Sequence, residues 1–196
     1  MNIEQKISQH FRDSAALKLR TMEPLTPQVA RAAHAMVTCL KSGGKILSCG
    51  NGGSAADSQH FAAELVGRFE REREELAAIA LTTDTSILTA VGNDYGYDEI
   101  FSKQVRALGK PGDILFGIST SGNSKNVVAA IEAARKKGMG IIGMTGRDGG
   151  KIAGLIGKDD VLLNVESPVT ARIQEVHLLM LHCLCDSIDN LLFGEK

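Results

Sequence analysis

The sequence has no tryptophan and few other aromatics, six Phe and two Tyr among 196 residues. That scarcity argues against a stacking platform for single-stranded nucleic acid. An excess of one charge is missing too. Twenty-two Lys and Arg face 23 Asp and Glu, and the formal net charge of −1 gives no general attraction to nucleic acid or to an anionic membrane. Cysteines are few: Cys39, Cys49, Cys183 and Cys185. They form no C-x-x-C pair and no spaced framework, the pattern of reduced, mostly buried thiols in a cytosolic protein. No apolar run is expected to reach the length of a membrane span. The opening MNIEQKISQHF is too polar and too mixed in charge for a secretory signal. The expectation is a cytoplasmic protein without direct nucleic-acid or membrane partners.

What is present is ordinary globular material, 43% hydrophobic and 23% charged. A chain of this length forms one domain whose core needs no disulfide or metal to fold. The first part, 1–42, reads as a helical extension to an α/β sandwich over 43–196. Residues 2–22 place Ile3, Ile7, Phe11, Ala15 and Leu19 about four apart, a helical stripe. Glu23-Pro24-Leu25 is expected to end that helix, and Thr26-Pro27 to cap a second one running to Lys41. The apolar stripes of these helices are suited to a partner subunit.

From Lys45 the pattern becomes alternating strands and helices. Strands are expected at Lys45–Cys49, Ala77–Thr82, Asp113–Ile118, Gly140–Thr145 and Asp160–Val165. Helices are expected at Ser54–Arg68, Thr85–Ala90, Asp98–Leu108, Ser124–Lys137 and Gly150–Leu155. A last helix, capped by Ser167-Pro168, runs toward Leu192. Short strands apolar on both faces predict a flavodoxin-like, five-stranded parallel sheet, doubly wound, with ligands beyond its carboxyl ends. The charged run Glu70–Glu75 reads as a solvated loop.

Four stretches carry chemistry. The first is Cys49–Phe69, CGNGGSAADSQHFAAELVGRF: a glycine turn, Gly50–Ser54, then a helix with His60 and Glu64 four apart on one face. Gly50, Gly52 and Ala55 match a permissive dinucleotide fingerprint. The acidic residue it requires, however, arrives late, at Asp84, which argues against a nicotinamide cofactor. The second is Ser119-Thr120-Ser121-Gly122-Asn123-Ser124, between a strand and a helix. One hydroxyl could cap that helix, but four make a phosphate nest, and without a Walker lysine the ligand is a small phosphorylated metabolite. The third is Val91-Gly92-Asn93-Asp94-Tyr95-Gly96, either a turn between helices or a source of sugar-hydroxyl partners in Asn93 and Asp94. The fourth is the last helix, where Gln174 and His182 lie about 80° apart around the axis and could meet His60 and Glu64 on one metal. Such a donor set suits zinc. His177 is read as a core or supporting residue.

The loop GNGGS, the segment D-x-Q-H-F-A-x-E-L-x-G-R-F, the phrase GNDYG, the loop GISTSGNS and the helix RIQEVH…H together resemble the bacterial phosphoheptose isomerase family. The resemblance covers nearly the whole chain. It implies the sugar-isomerase (SIS) fold, homotetramers with sites at subunit interfaces, and conversion of sedoheptulose 7-phosphate to an aldoheptose 7-phosphate for lipopolysaccharide core. It also implies one zinc per subunit on His60, Glu64, Gln174 and His182. Glu64 and His182 are the expected catalytic groups. Substrate contacts are implied at Asn51, Gly52, Gly53, Ser54, Arg68, Asn93, Asp94, Ser119, Thr120, Ser121, Ser124 and Gln174. Ala171 departs from an acidic residue that some members carry there. Ala171, the RALG phrase and the ending CDSIDNLLF also resemble a non-enzymatic relative that binds the bacterial replication initiator protein. Glu64, which that relative lacks, favours the enzyme.

Overall fold

The computed structural model describes residues 2–195. The chain runs α1 (Ile3–Lys41), β1 (Ile46–Cys49), α2 (Gly53–Val66), β2 (Ala78–Ala80), α3 (Thr85–Tyr95), a 3-10 turn (Tyr97–Glu99), α4 (Ser102–Leu108), β3 (Ile114–Ser119), α5 (Lys125–Lys136), β4 (Gly140–Gly146), α6 (Gly150–Leu155), β5 (Val161–Val165) and α7 (Thr170–Phe193). The strands are all parallel, in the order β2-β1-β3-β4-β5. This is the expected doubly wound sheet, and the order reverses between β1 and β3.

The strands read as continuous apolar runs because both faces are covered. Ile114, Phe116 and Ile118 point into one core with α1, α2 and α7, while Leu115 points into the other with α4, α5 and α6. That is the period-two alternation of a strand. Gly117 lets α5 approach closely, since a Cβ there would stand 3.2 Å from Val127.

The N-terminal expectation needs correction. Pro24 and Pro27 do not divide the first segment; α1 is one helix of 39 residues with both prolines inside. Each proline removes one backbone donor. The buried stripe Leu17, Thr21, Leu25, Val29, with Ala32 and Ala33, runs straight past them against α7, and this packing outweighs the lost bonds. Thr26, expected as a cap, instead donates its hydroxyl to the Met22 carbonyl at 2.8 Å. The second half of α1 belongs to the domain core. The first half leaves Ile3, Ile7, Phe11 and Leu19 exposed.

Two further corrections concern charge and hydropathy. Within the charged run, Arg73 is buried against Asp189 of α7 rather than solvated. By length and composition α7 could cross a membrane, contrary to expectation. Its apolar side chains, Ile173, Val176, Leu181 and Leu184 among them, face the sheet and α1 as a core helix does. Ser167 does not cap α7, whose N-cap is Val169. Cys39, Cys49 and Cys185 are buried, and Cys183 is exposed.

Candidate active site

The turn after β1 and the turn after β3 lie side by side at the point where the strand order reverses, because Cys49 is in register with Gly117. Ligands of doubly wound sheets bind in such a crevice.

The first turn is built for close approach. Gly52 sits at φ 56, a left-handed conformation that glycine adopts freely. Gly53 opens α2, and a Cβ there would stand 2.3 Å from Nε2 of Gln174. The absent side chain thus makes room for the α7 glutamine. Ser54 is buried behind the turn. The Asn51 side chain is already engaged: it exchanges hydrogen bonds of 2.8 and 2.9 Å with Asn126 and accepts from the Tyr97 hydroxyl at 3.3 Å. That amide braces the two turns against each other. Neither Asn126 nor Tyr97 was singled out from sequence, because only the fold brings them to Asn51.

The second turn carries its hydroxyls as a cluster. Ser119 is buried and pairs with the Ser124 hydroxyl at 2.9 Å. Ser121 Oγ accepts from the Asn123 N–H at 3.1 Å. Thr120 is half-buried, and its carbonyl fills the space that Gly146 leaves open. Ser124 occupies the N-cap of α5, yet no side chain caps that helix. Asn123 instead turns to α6, accepting from the Lys151 N–H at 3.1 Å. The hydroxyls are therefore not explained by helix capping, and the start of α5 faces the same cluster with its positive dipole end. Gly122 is required here, because its φ is 64 and a Cβ would fall 1.9 Å from the Gly149 carbonyl oxygen.

Two turns into α2 stands the ionisable cluster. His60 Nε2 is 2.8 Å from Glu64 Oε1. The His60 ring meets the His182 ring of α7 edge-on, with centroids 5.2 Å apart at 73°. Phe69 covers His182 on another side, 5.7 Å between centroids. His60, Glu64 and His182 are thus brought together from two helices, and Gln174, on the same α7, lies beside Gly53 at the start of α2. Two imidazoles and a carboxylate are donor types that fit zinc, and an amide is an uncommon fourth. Among the described residues, however, no group of three or more His, Cys, Asp and Glu is set to hold a metal ion. His60 and Glu64 satisfy each other instead.

Asp57, one turn before His60, was not assigned a role from sequence. One of its carboxylate oxygens is buried with no hydrogen-bond partner. Burial raises its pKa to about 6, against the opposing pull of His60. His177 is a core histidine as expected. Its Nε2 lies 2.8 Å from the Thr145 carbonyl, and burial lowers its pKa to about 4 although that bond favours the charged form.

Three expected substrate contacts pair with neighbours of their own in this chain. Arg68 lies past the end of α2, exposed and paired with Glu72 at 2.9 Å. Asn93 and Asp94, in the last turn of α3, are exposed and bond to each other at 2.8 Å. Ala171 is exposed in the first turn of α7.

A protein-family model for the SIS domain matches residues 9–146. The phosphoheptose isomerase of Neisseria gonorrhoeae (strain NCCP11945) is 59% identical over 190 residues, covering 97% of this chain and 96% of its own. That of Chromohalobacter salexigens is 61% identical over 194 residues, covering 99% and 98%. A solved phosphoheptose isomerase structure from Neisseria gonorrhoeae matches with a TM-score of 0.93 at 56% identity, covering 96% of this chain and 100% of that one. The replication-adaptor alternative is not favoured by relatives of this kind. Likeness this close, along nearly the full length of both partners, makes the chain an isomerase of the phosphoheptose isomerase family of SIS-domain proteins.

Proposed function

We propose that the chain interconverts D-sedoheptulose 7-phosphate and D-glycero-D-manno-heptose 7-phosphate in the cytoplasm, the first step toward ADP-heptose for lipopolysaccharide core. The name of its relatives supports a phosphorylated heptose. The observation that carries the reaction type is the meeting of Glu64 with His60, and of His60 with His182, on the helix that follows the glycine turn.

An aldose–ketose isomerisation moves one proton between adjacent carbons through an enediol. Glu64 takes the proton from C1 of the ketose and returns it to C2. His182 gives a proton to the C2 oxygen and accepts one from the C1 oxygen, so no net proton is gained or lost. A glutamate base beside a histidine is the pairing used by triosephosphate isomerase. Ser119, Thr120, Ser121 and Ser124, with the N–H groups at the start of α5, hold the phosphate. Gly52, Gly53 and Ser54 let the sugar chain pass close to α2, and Asn51 keeps the two turns together.

His60, Glu64, Gln174 and His182 would hold one zinc ion per subunit, which would supply Lewis-acid polarisation of the carbonyl. The working form is a homotetramer with sites at subunit interfaces. Supporting this, α3 has no buried residue and the first half of α1 presents apolar side chains outward. Arg68, Asn93 and Asp94 then act on substrate across such interfaces. Incubating the pure protein with sedoheptulose 7-phosphate and following aldose formation tests the reading. No turnover, together with capture of the replication initiator, would replace it with the adaptor.

A further inference from the structure

Arg73 lies in the most charged stretch of the chain, yet its side chain is only 2% exposed and that of its partner Asp189 only 4%. Nε donates to Asp189 Oδ1 at 2.9 Å. Nη1 donates to the carbonyls of Leu65 and Gly67 at 2.9 Å each. Nη2 donates to the carbonyl of Glu64 at 2.6 Å. These are carbonyls at the end of α2, where a helix lacks internal partners and carries its negative dipole end. The last turn of α2 contains no basic residue of its own. Arg73 therefore caps α2 from beyond it.

Asp189, the other end of the fork, belongs to α7 and stands seven residues after His182. Seven residues are close to two turns, so the two share a face. Cys185 lies between them, and Glu64, Asp189 and Arg73 all act on its thiol, which burial pushes up. One guanidinium thus joins the end of the helix carrying His60 and Glu64 to the helix carrying His182. Its rigid fork suits this; an ammonium offers donors from a single point.

We infer that Arg73 and Asp189 are positioning residues that fix the Glu64 carboxylate relative to the His182 imidazole, and so govern proton transfer rather than substrate binding. The inference rests on the roles proposed above for Glu64 and His182. Displacement by about 1 Å can cost on the order of 10²-fold in rate.

The test compares Arg73→Lys, Arg73→Met, Asp189→Leu and the double variant Arg73→Met/Asp189→Leu by steady-state kinetics and thermal melting. Each single variant is expected to lower kcat about tenfold or more with KM within about twofold. The double variant leaves no buried charge unpaired, so it regains melting temperature, while kcat stays low. Recovery of kcat along with stability in the double variant, or a folded Arg73→Lys with parental kcat, overturns the inference. Glu64→Gln in the same assay reports on the base alone. If it keeps parental activity, the base assignment falls and the clamp is judged on its own kcat-against-KM split. A readout independent of turnover is the nuclear Overhauser contact between the His60 and His182 rings. It is expected in the parent and weakened in the double variant, and an unchanged intensity there also overturns the inference.

Discussion

His60 and Glu64 are partners along one helix, 2.8 Å apart, whereas His60 and His182 are partners across two, with ring centroids at 5.2 Å. The imidazole of His60 is the hinge of the cluster. It holds the proposed base by one contact and the proposed acid by the other.

Replacing Glu64 by Gln keeps the shape and the ability to bond His60 but removes the proton acceptor. Turnover should fall by about 10²- to 10⁴-fold, the usual worth of a general base. Melting temperature and phosphate binding should stay near parental values. Ordinary isomerase activity in this variant removes Glu64 from the base role.

Ser124→Ala deletes one half of the Ser119–Ser124 hydroxyl pair and leaves the buried Ser119 unpaired. A neutral hydrogen bond contributes about 0.5–1.5 kcal/mol, so KM for the sugar phosphate should rise about two- to tenfold. If KM is unmoved while the protein is folded, the phosphate does not sit on this turn.

Two glycine substitutions separate space from strain. Gly122→Ala adds a Cβ 1.9 Å from a main-chain oxygen at a positive φ, so it should lower stability by about 1–3 kcal/mol and be visible in melting. Gly53→Ala meets only the tip of the Gln174 side chain, which can swing away. It should melt near the parent but bind less zinc, as measured by elemental analysis after equilibration with the metal. Parental zinc content in Gly53→Ala argues that Gln174 is not a ligand.

Zinc itself is testable on protein purified without chelator. About one equivalent per subunit, and loss of activity on chelation that zinc restores, are the expected results. Metal-free protein whose activity ignores a chelator rejects the four-ligand site.

Acid stability carries two opposing contributions. His177 falls from 6.5 to about 4 on folding, so the native state resists its protonation and loses stability as pH drops from about 6.5 toward 4. Asp57 rises from 3.8 to about 6, so the native state welcomes that proton and gains stability as pH drops through about 6 toward 4. Between pH 6 and 4 the two slopes oppose each other. Asp57→Asn should make melting temperature fall more steeply with acid over that window, and a parallel profile would contradict the buried Asp57.

Much of this was legible in the sequence because it is local. The five strands, the order of helices and the His60/Glu64 spacing follow from periodicity and turn residues, and the structure moves their boundaries by only a residue or two in most cases. Asn93 and Asp94, by contrast, lie in the last turn of α3 rather than in a separate turn. What eluded the sequence depends on distant chain. Two prolines signal a break, but the buried stripe through Leu25 and Val29 holds α1 together. Arg73 sits among acidic neighbours, and only Asp189, 116 residues on, explains its burial. Asn51, expected as a sugar contact, also meets Asn126 and Tyr97, neighbours that only the fold brings to it.

The strand order also governs how the protein is made. β1 leaves the ribosome early, yet one of its two neighbours is β3, with Ile46 in register with Ile114. At about 5–20 residues per second, that partner follows on the order of 3–14 s later. For those seconds one flank of the central strand has no ladder to join, and its other neighbour, β2, is only three residues long. Parallel pairing at this separation makes folding slow and exposes apolar strand to other nascent chains. The crevice between β1 and β3 therefore cannot form until β3 has been made, and the ionisable cluster waits longer still, for His182 on α7.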